Sequence, residues 1–223
     1  MKQACGDAEI HPSVVVSNPD SCHECRVLHI WEIVAVFVAA VSGAIGARRA
    51  GMDFFGMFVL ALVTGVGGGT LRSLLLGDLP PMVLKDPTYL LLAVIATVVS
   101  FSGDRWWSKV KRLVSVVDAL SIGLFMVIGI EIARSHHLDW WACMGMGVVT
   151  ATFGGVLRDI LRAEVPLIFR KEIYASACVA GGFLFFALEG LGLDAVLCKL
   201  GTVLFVTTVR MLAIRYALHH SEG

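Results

Sequence analysis

Long apolar runs separated by short polar segments make up most of the chain, and these runs have the length of membrane-spanning helices. A helix needs about 20 largely apolar residues to cross the hydrocarbon core of a bilayer. The pattern therefore predicts an all-α integral membrane protein with seven transmembrane helices. The predicted spans are 28–47, 54–76, 87–101, 114–132, 140–161, 173–188 and 195–216.

The composition agrees with a membrane protein. Of the 223 residues, 57% are hydrophobic and 16% are charged, and the mean hydropathy is +0.80. A soluble domain has about 25% charged residues, so a soluble helical bundle is the less favoured interpretation. The formal net charge is +0 and no basic stripe carries interleaved aromatic residues, so nucleic acid is not an expected partner. The polar segments 1–27 and 217–223 are interpreted as terminal tails.

The distribution of Lys and Arg predicts the orientation, because positively charged loops stay on the cytoplasmic side of a membrane. If the N-terminus lies outside, most Lys and Arg of the connecting segments lie inside. This assignment places Arg210 and Arg215 at the inner end of the seventh span. The sequence therefore predicts an outer N-terminus and a cytoplasmic C-terminus.

The chain contains an internal repeat with an offset of 86 residues (158 − 72). The stretch GGTLRSLLLGDLPPMVLKD, which begins at Gly68, aligns without gaps with GGVLRDILRAEVPLIFRKE, which begins at Gly154. Each unit holds three spans, so the second unit enters the membrane upside down relative to the first. The predicted units are the repeat 28–103, the inverted repeat 112–189 and the seventh helix at 194–216.

Glycines lie midway along the second and fifth spans, where each one destabilises a helix by about 1 kcal/mol relative to alanine. Irregular backbone at this depth is tolerated only where it is buried or faces water. We therefore predict that both helices are broken at the glycines and line a permeation path; close packing through small residues is the alternative. Neighbouring threonines could replace water around an ion, or bond to their own helical turn. The candidate pore residues are Gly67, Gly68, Gly69, Gly154, Gly155, Thr64, Thr70, Thr150 and Thr152.

Charged residues inside the predicted spans need partners, because a bare charge in lipid is costly. One interpretation is that they form buried ion pairs which lock helices together, with Arg158 paired to Glu32 or Asp159. The other is that some line the conduit, where the acids lower the energy of a passing cation and the arginines set the barrier. The intramembrane charges are Arg72, Arg158, Asp159, Glu32 and Asp118.

Enzyme and metal motifs give no competing prediction. The chain has no HExxH, no GxSxG and no P-loop, so we expect neither an enzyme nor a bound cofactor. The tail carries CHEC at Cys22–Cys25, which is half the spacing of a zinc site and lacks a second pair. A polar tail or a local disulfide is the preferred interpretation, and no metal site is predicted.

The twin motifs GVGGGTLRSLLLG, followed by KDPTYLL, and FGGVLRDIL resemble the bacterial relatives of trimeric intracellular cation channels, also labelled a glycine-transporter-type domain. The resemblance covers nearly the whole chain without its N-terminal tail. It implies a homotrimer in the bacterial inner membrane, with a pore for monovalent cations, chiefly potassium, between the kinked second and fifth helices of each protomer. Permeant K⁺ or Na⁺ and membrane lipids are then the expected small partners.

One position departs from that family pattern. The first motif commonly has Asp after its arginine, whereas this chain has Ser73 and keeps the acid only in the second copy, as Asp159. Two symmetric Arg–Asp pairs are therefore not expected. The alternative functions are a secondary carrier for a small zwitterion such as glycine, and a structural membrane protein whose glycines only pack.

Overall fold

The computed structural model describes residues 23–102, 107–170 and 174–219, and the regular secondary structure of this part of the chain is entirely helical. The CHEC stretch begins at Cys22, outside the described residues, so the interpretation of it as a tail or a local disulfide stays a prediction. Each of the seven predicted spans forms a helix. The nine helices of the described part are α1 (His23–Arg49), α2 (Phe54–Leu76), α3 (Met82–Lys85), α4 (Thr88–Phe101), α5 (Trp107–Ser135), α6 (Trp140–Leu161), α7 (Leu167–Arg170), α8 (Ala175–Gly190) and α9 (Ala195–His219).

Two of these helices, α3 and α7, are single turns that the apolar pattern did not predict. Each follows a proline and precedes the last helix of its repeat. Five helices (α1, α2, α5, α6 and α9) contain segments long and apolar enough to cross a membrane, judged by length and composition. The apolar helices α4 and α8 are shorter, with 14 and 16 residues.

Local interactions fix where several helices begin and end. The Asp53 carboxylate accepts the Gly56 N–H at 2.7 Å and so caps the start of α2. Gly77 ends α2 with a φ of 78°, which glycine adopts without steric cost. The Asp86 carboxylate accepts the Thr88 N–H at 2.8 Å at the start of α4, and hydrogen bonding to Thr88 lowers the pKa of Asp86.

The ends of the helices define two faces of the bundle. On the first face, where α1 begins and α2 ends, Asp78 contacts His136 at 2.9 Å, and Arg134 contacts Glu189 at 2.6 Å. On the second face, where α1 ends and α2 begins, Arg48 at the end of α1 donates to the Ser100 carbonyl near the end of α4 at 2.7 Å. The seven apolar helices, α4 and α8 included, therefore run in alternating directions between the two faces.

The centre of the bundle is the contact between α2 and α6. Helix α1 packs on α2, α5 packs on α6, and α1 and α5 also pack on each other. Helix α9 packs on α5 and α8. Buried alanines such as Ala40, Ala44 and Ala61 fill the contacts of the first repeat, where α1, α2 and α4 approach closely.

The structure does not confirm the predicted breaks at the glycines. Helix α2 runs without interruption through Gly67–Gly69, and α6 runs without interruption through Gly154 and Gly155. The glycines instead remove side chains where another helix approaches. The backbone keeps its helical hydrogen bonds, because the space that the glycines leave is filled by neighbouring helices.

Candidate functional site

Glycines allow α2 and α6 to cross at backbone contact. A Cβ added to Gly68 would overlap the carbonyl oxygen of Thr150, and one added to Gly154 would overlap the carbonyl oxygen of Thr64. The two contacts are equivalent under the offset of the repeat. Close packing through small residues, the alternative considered from the sequence, is therefore what these two glycines provide.

The same relation extends to the flanking helices. A Cβ on Gly43 of α1 would lie 2.5 Å from the Thr64 hydroxyl oxygen, and one on Gly129 of α5 would lie 2.8 Å from the Thr150 hydroxyl oxygen. In each repeat, therefore, the first helix packs closely on the second where a glycine of the first meets a threonine of the second. These contacts fix the walls of the region in which the buried charges lie.

The threonine hydroxyls at this crossing bond to their own helices. Thr64, Thr150 and Thr152 each donate to the carbonyl four residues earlier, at 2.6, 2.7 and 2.8 Å. Thr70 is half-buried and lines a cavity described below. In this conformation the first three hydroxyls satisfy backbone carbonyls, while their remaining lone pairs are acceptors.

The first charge cluster is a buried ion pair between α1 and α2. Arg72 donates to Glu32 at 2.7 Å, and their side chains are 3% and 9% exposed. A Cβ on Gly69 would lie 3.7 Å from Arg72 Nη2, an ordinary contact, so the ion pair itself does not require glycine at this position. Among the described residues, Arg72 Nη1 and the Tyr89 hydroxyl are buried without a hydrogen-bond partner. Such groups are ordinarily satisfied by water.

The second charge cluster is the equivalent pair between α5 and α6, with more partners. Arg158 Nη1 donates to Asp118 at 2.6 Å and to the Ser42 hydroxyl at 3.0 Å, and Arg158 Nε donates to Asp159 at 3.0 Å. Asp159 also accepts the Leu167 N–H at 3.0 Å. The structure therefore pairs Arg158 with Asp159 as one sequence-based alternative expected, whereas Glu32 pairs with Arg72 instead.

Sequence reasoning missed Arg210, which belongs to this second cluster. It was assigned to the inner end of the seventh span, but its side chain is 2% exposed and lies 3.9 Å from Asp118. Its guanidinium also lies over the ring of Tyr174, 4.2 Å from the centroid. Two arginines thus face two aspartates. The sequence did contain one indication of this role. Asp159 is an extra acid of the second repeat, because the equivalent residue of the first repeat is Ser73, and a second buried carboxylate needs a second cation.

Each charge cluster borders a small cavity. The first cavity is lined by Glu32, Arg72, Thr70, Tyr89 and Met82, and the second by Asp118, Thr150, Ser121, Gly155 and Tyr174, each with further apolar neighbours. Water-molecule centres can occupy about 20 Å³ of the first and about 10 Å³ of the second. Since one water needs about 10–15 Å³ of such space, each cavity has the size of about one water molecule.

The described residues offer no alternative metal chemistry. Within that part of the chain, no group of three or more His, Cys, Asp and Glu side chains could hold a metal ion. Cys143, Cys178 and Cys198 are free and buried. The buried polar groups near the α2–α6 crossing are therefore arginine–carboxylate pairs and hydroxyl groups, and they lie beside two small cavities.

Comparison with known proteins places the chain among bacterial membrane proteins. The family model described as glycine transporter matches residues 29–105 and, a second time, residues 115–190. A UPF0126 membrane protein of Vibrio cholerae is 34% identical over 207 residues, which cover 90% of this chain and 84% of the relative. The UPF0126 inner membrane protein YadS of Escherichia coli K12 is 39% identical over 152 residues, covering 68% of this chain and 73% of that protein.

Solved structures share the fold. The trimeric intracellular cation (TRIC) channel orthologue from Rhodobacter sphaeroides matches with a TM-score of 0.81 at 34% identity, covering 86% of this chain and 98% of that chain. A prokaryotic TRIC channel in 0.5 M KCl matches with a TM-score of 0.80 at 29% identity over the same shares. These neighbours are channels, not enzymes. The chain is therefore an all-helical membrane protein that belongs to the glycine-transporter (UPF0126) family, together with the bacterial TRIC channels.

Proposed function

We propose that this chain forms a homotrimeric channel for monovalent cations that prefers potassium, with one conduit per protomer between α2 and α6. In this proposal all seven apolar helices span the bilayer, and the short α4 and α8 complete two inverted three-helix repeats. The observation that carries it is the likeness of nearly the whole fold to the Rhodobacter sphaeroides cation channel, at 34% identity.

The buried charges support a conduit in this region. In the first repeat both members of the Arg72–Glu32 pair line a cavity, and in the second repeat Asp118, the partner of Arg158, lines the other cavity. Carboxylates lower the energy of a cation in a narrow passage, and arginines at the same wall set the barrier. The glycines at the crossing permit the wall to be made of backbone, and the threonines supply hydroxyl oxygens along it.

A secondary carrier for a small zwitterion such as glycine is the less favoured function. An arginine beside a cavity could hold a carboxylate, and inverted repeats occur in many carriers. However, the first cavity has space for about one water molecule, which is less than an amino acid requires. Arg72 and Arg158 are also already bonded to carboxylates of the chain.

The proposed setting is the inner membrane of a bacterium, with the N-terminus outside and the C-terminus in the cytoplasm. The E. coli relative is named as an inner membrane protein. The partners are two further copies of the chain, membrane lipids and the permeant K⁺ or Na⁺, with no resident cofactor. The first face of the bundle is then the outer face.

Single-channel recording tests this function directly. The purified protein is reconstituted in planar bilayers with a KCl gradient, and we expect unitary currents that reverse at the potassium equilibrium potential. Reversal at the chloride potential would refute a cation channel. Absence of currents, combined with saturable counterflow of labelled glycine in liposomes, would establish the carrier instead.

A further inference from the structure

One side chain lies between the two cavities. Phe125 of α5 is 4% exposed, and it is the residue that the linings of the first and second cavities have in common within the described part of the chain. The two cavities also share four pairs of equivalent positions of the two repeats. Glu32 and Gly69 line the first, where Asp118 and Gly155 line the second.

The two cavities lie towards opposite faces of the bundle. The first is bordered by Met82 of α3 and Tyr89 at the start of α4, both near the first face. The second is bordered by Tyr174, which directly precedes α8 near the second face. Phe125 lies well inside the 29-residue helix α5, between these two levels.

The repeat is unequal at this position. The residue equivalent to Phe125 in the first repeat is Ala39, which lines the second cavity. A single aromatic ring from one repeat therefore occupies the region where the two cavities approach each other. The first cavity also holds the unpartnered polar groups of Arg72 and Tyr89, each on a residue that is 2% exposed, so it is suited to water.

We propose that Phe125 is the hydrophobic barrier of the conduit, which keeps the two polar cavities apart and prevents ions from passing in this conformation. This inference rests on the proposed channel function. An apolar constriction between two wet compartments excludes water, and an ion cannot cross it without losing its hydration. Displacement or removal of the ring joins the two cavities.

The test compares Phe125→Ala with Phe125→Trp and with Phe185→Ala. Phe185 is a matched control because it is a buried phenylalanine of α8, 2% exposed, and lines neither cavity. Protein that elutes as the wild-type oligomer is reconstituted in liposomes, and potassium efflux is measured. We expect a several-fold faster efflux for Phe125→Ala, and wild-type or slower efflux for Phe125→Trp and Phe185→Ala. Wild-type efflux from correctly assembled Phe125→Ala would overturn the proposal.

Thiol labelling tests the barrier without relying on ion flux. Ser121→Cys places a thiol in the second cavity, and Thr70→Cys places one in the first. Silver ion, which binds thiols and is about the size of K⁺, is applied to intact cells and to inverted vesicles. The protein is then denatured and alkylated, and peptide mass mapping shows which of the new thiols silver has protected, apart from the six natural cysteines. A protected thiol counts as labelled. From the side that labels Thr70→Cys, Ser121→Cys should be labelled only when Phe125→Ala is also present.

The two measurements separate the two proposals. Labelling of Ser121→Cys from that side without the alanine substitution would show that Phe125 is no barrier. If labelling depends on Phe125→Ala but the protein passes no potassium, the proposed role of Phe125 is supported and the proposed cation channel is refuted.

Discussion

Alanine substitution at the crossing glycines tests the central contact of the fold. In Gly68→Ala and Gly154→Ala, the new methyl group would overlap a backbone carbonyl oxygen of the opposite helix, well under 3.0 Å away. A backbone atom cannot rotate aside, so the two helices must separate. Gly145 is the matched control, because it lies in the same helix as Gly154 and a Cβ there meets nothing within 4 Å.

The magnitude follows from two opposing effects. Overpacking a close contact costs about 1–3 kcal/mol, whereas replacing glycine by alanine within a helix gains about 0.5–1 kcal/mol. The crossing variants should therefore lose up to about 2.5 kcal/mol, while Gly145→Ala should gain about 0.5–1 kcal/mol. For a chain of this size, 1 kcal/mol corresponds to about 2–4 °C in Tm.

The assay is thermal unfolding of the purified protein in one detergent, followed by the loss of the oligomer peak on size exclusion. We expect Gly68→Ala and Gly154→Ala to melt below the wild type and Gly145→Ala to melt at or above it. Crossing variants that melt with the wild type would refute the backbone contact. Unchanged melting with altered conductance would assign these glycines to the ion path instead of to packing.

Three further predictions concern the arginines. Arg158→Met leaves two aspartates facing Arg210 alone, so it should cost about 3–5 kcal/mol in unfolding measurements; a wild-type Tm would contradict the buried pairing. Asp159→Ser and Arg210→Met should each lower the free energy of unfolding. The double variant should lose less than the sum of the two single losses, because it removes one charge of each sign. Strict additivity in a double-mutant cycle would show that the two residues do not interact. Arg48→Met removes the hydrogen bonds to the end of α4, and amide exchange there should accelerate; unchanged exchange would show that this contact does not hold the helix end.

Much of the fold could be read from the sequence, because lipid-exposed helices carry a simple apolar signal. The predicted span 54–76 coincides with α2 and 140–161 with α6, and the other bounds differ by up to seven residues. The ungapped repeat also identified the equivalence of Arg72 with Arg158 and of Glu32 with Asp118. Residues that are 86 positions apart in the sequence make equivalent contacts in the structure, as Gly68 and Gly154 do.

The interpretation of the glycines could not be settled from the sequence. Three consecutive glycines weaken a helix in isolation, but a neighbouring helix at the same level restores the lost stability by close contact. Which effect prevails depends on what lies opposite, and Gly68 meets Thr150, a residue distant in the chain. The role of Arg210 was hidden for the same reason, since position at a helix end suggested a solvated charge and only the packing of α9 buries it.

The contribution of Arg210 makes the last helix part of the electrostatics of the second repeat. Asp118 and Asp159 are synthesised before Arg210. Until Arg210 has been synthesised, Arg158 is the one arginine of the cluster, and one carboxylate lacks a counterion. The second repeat therefore cannot reach its final charge pairing until the last helix, α9, has also been inserted into the membrane. A polypeptide terminated after the second repeat would retain an uncompensated carboxylate, and cellular quality control should remove it.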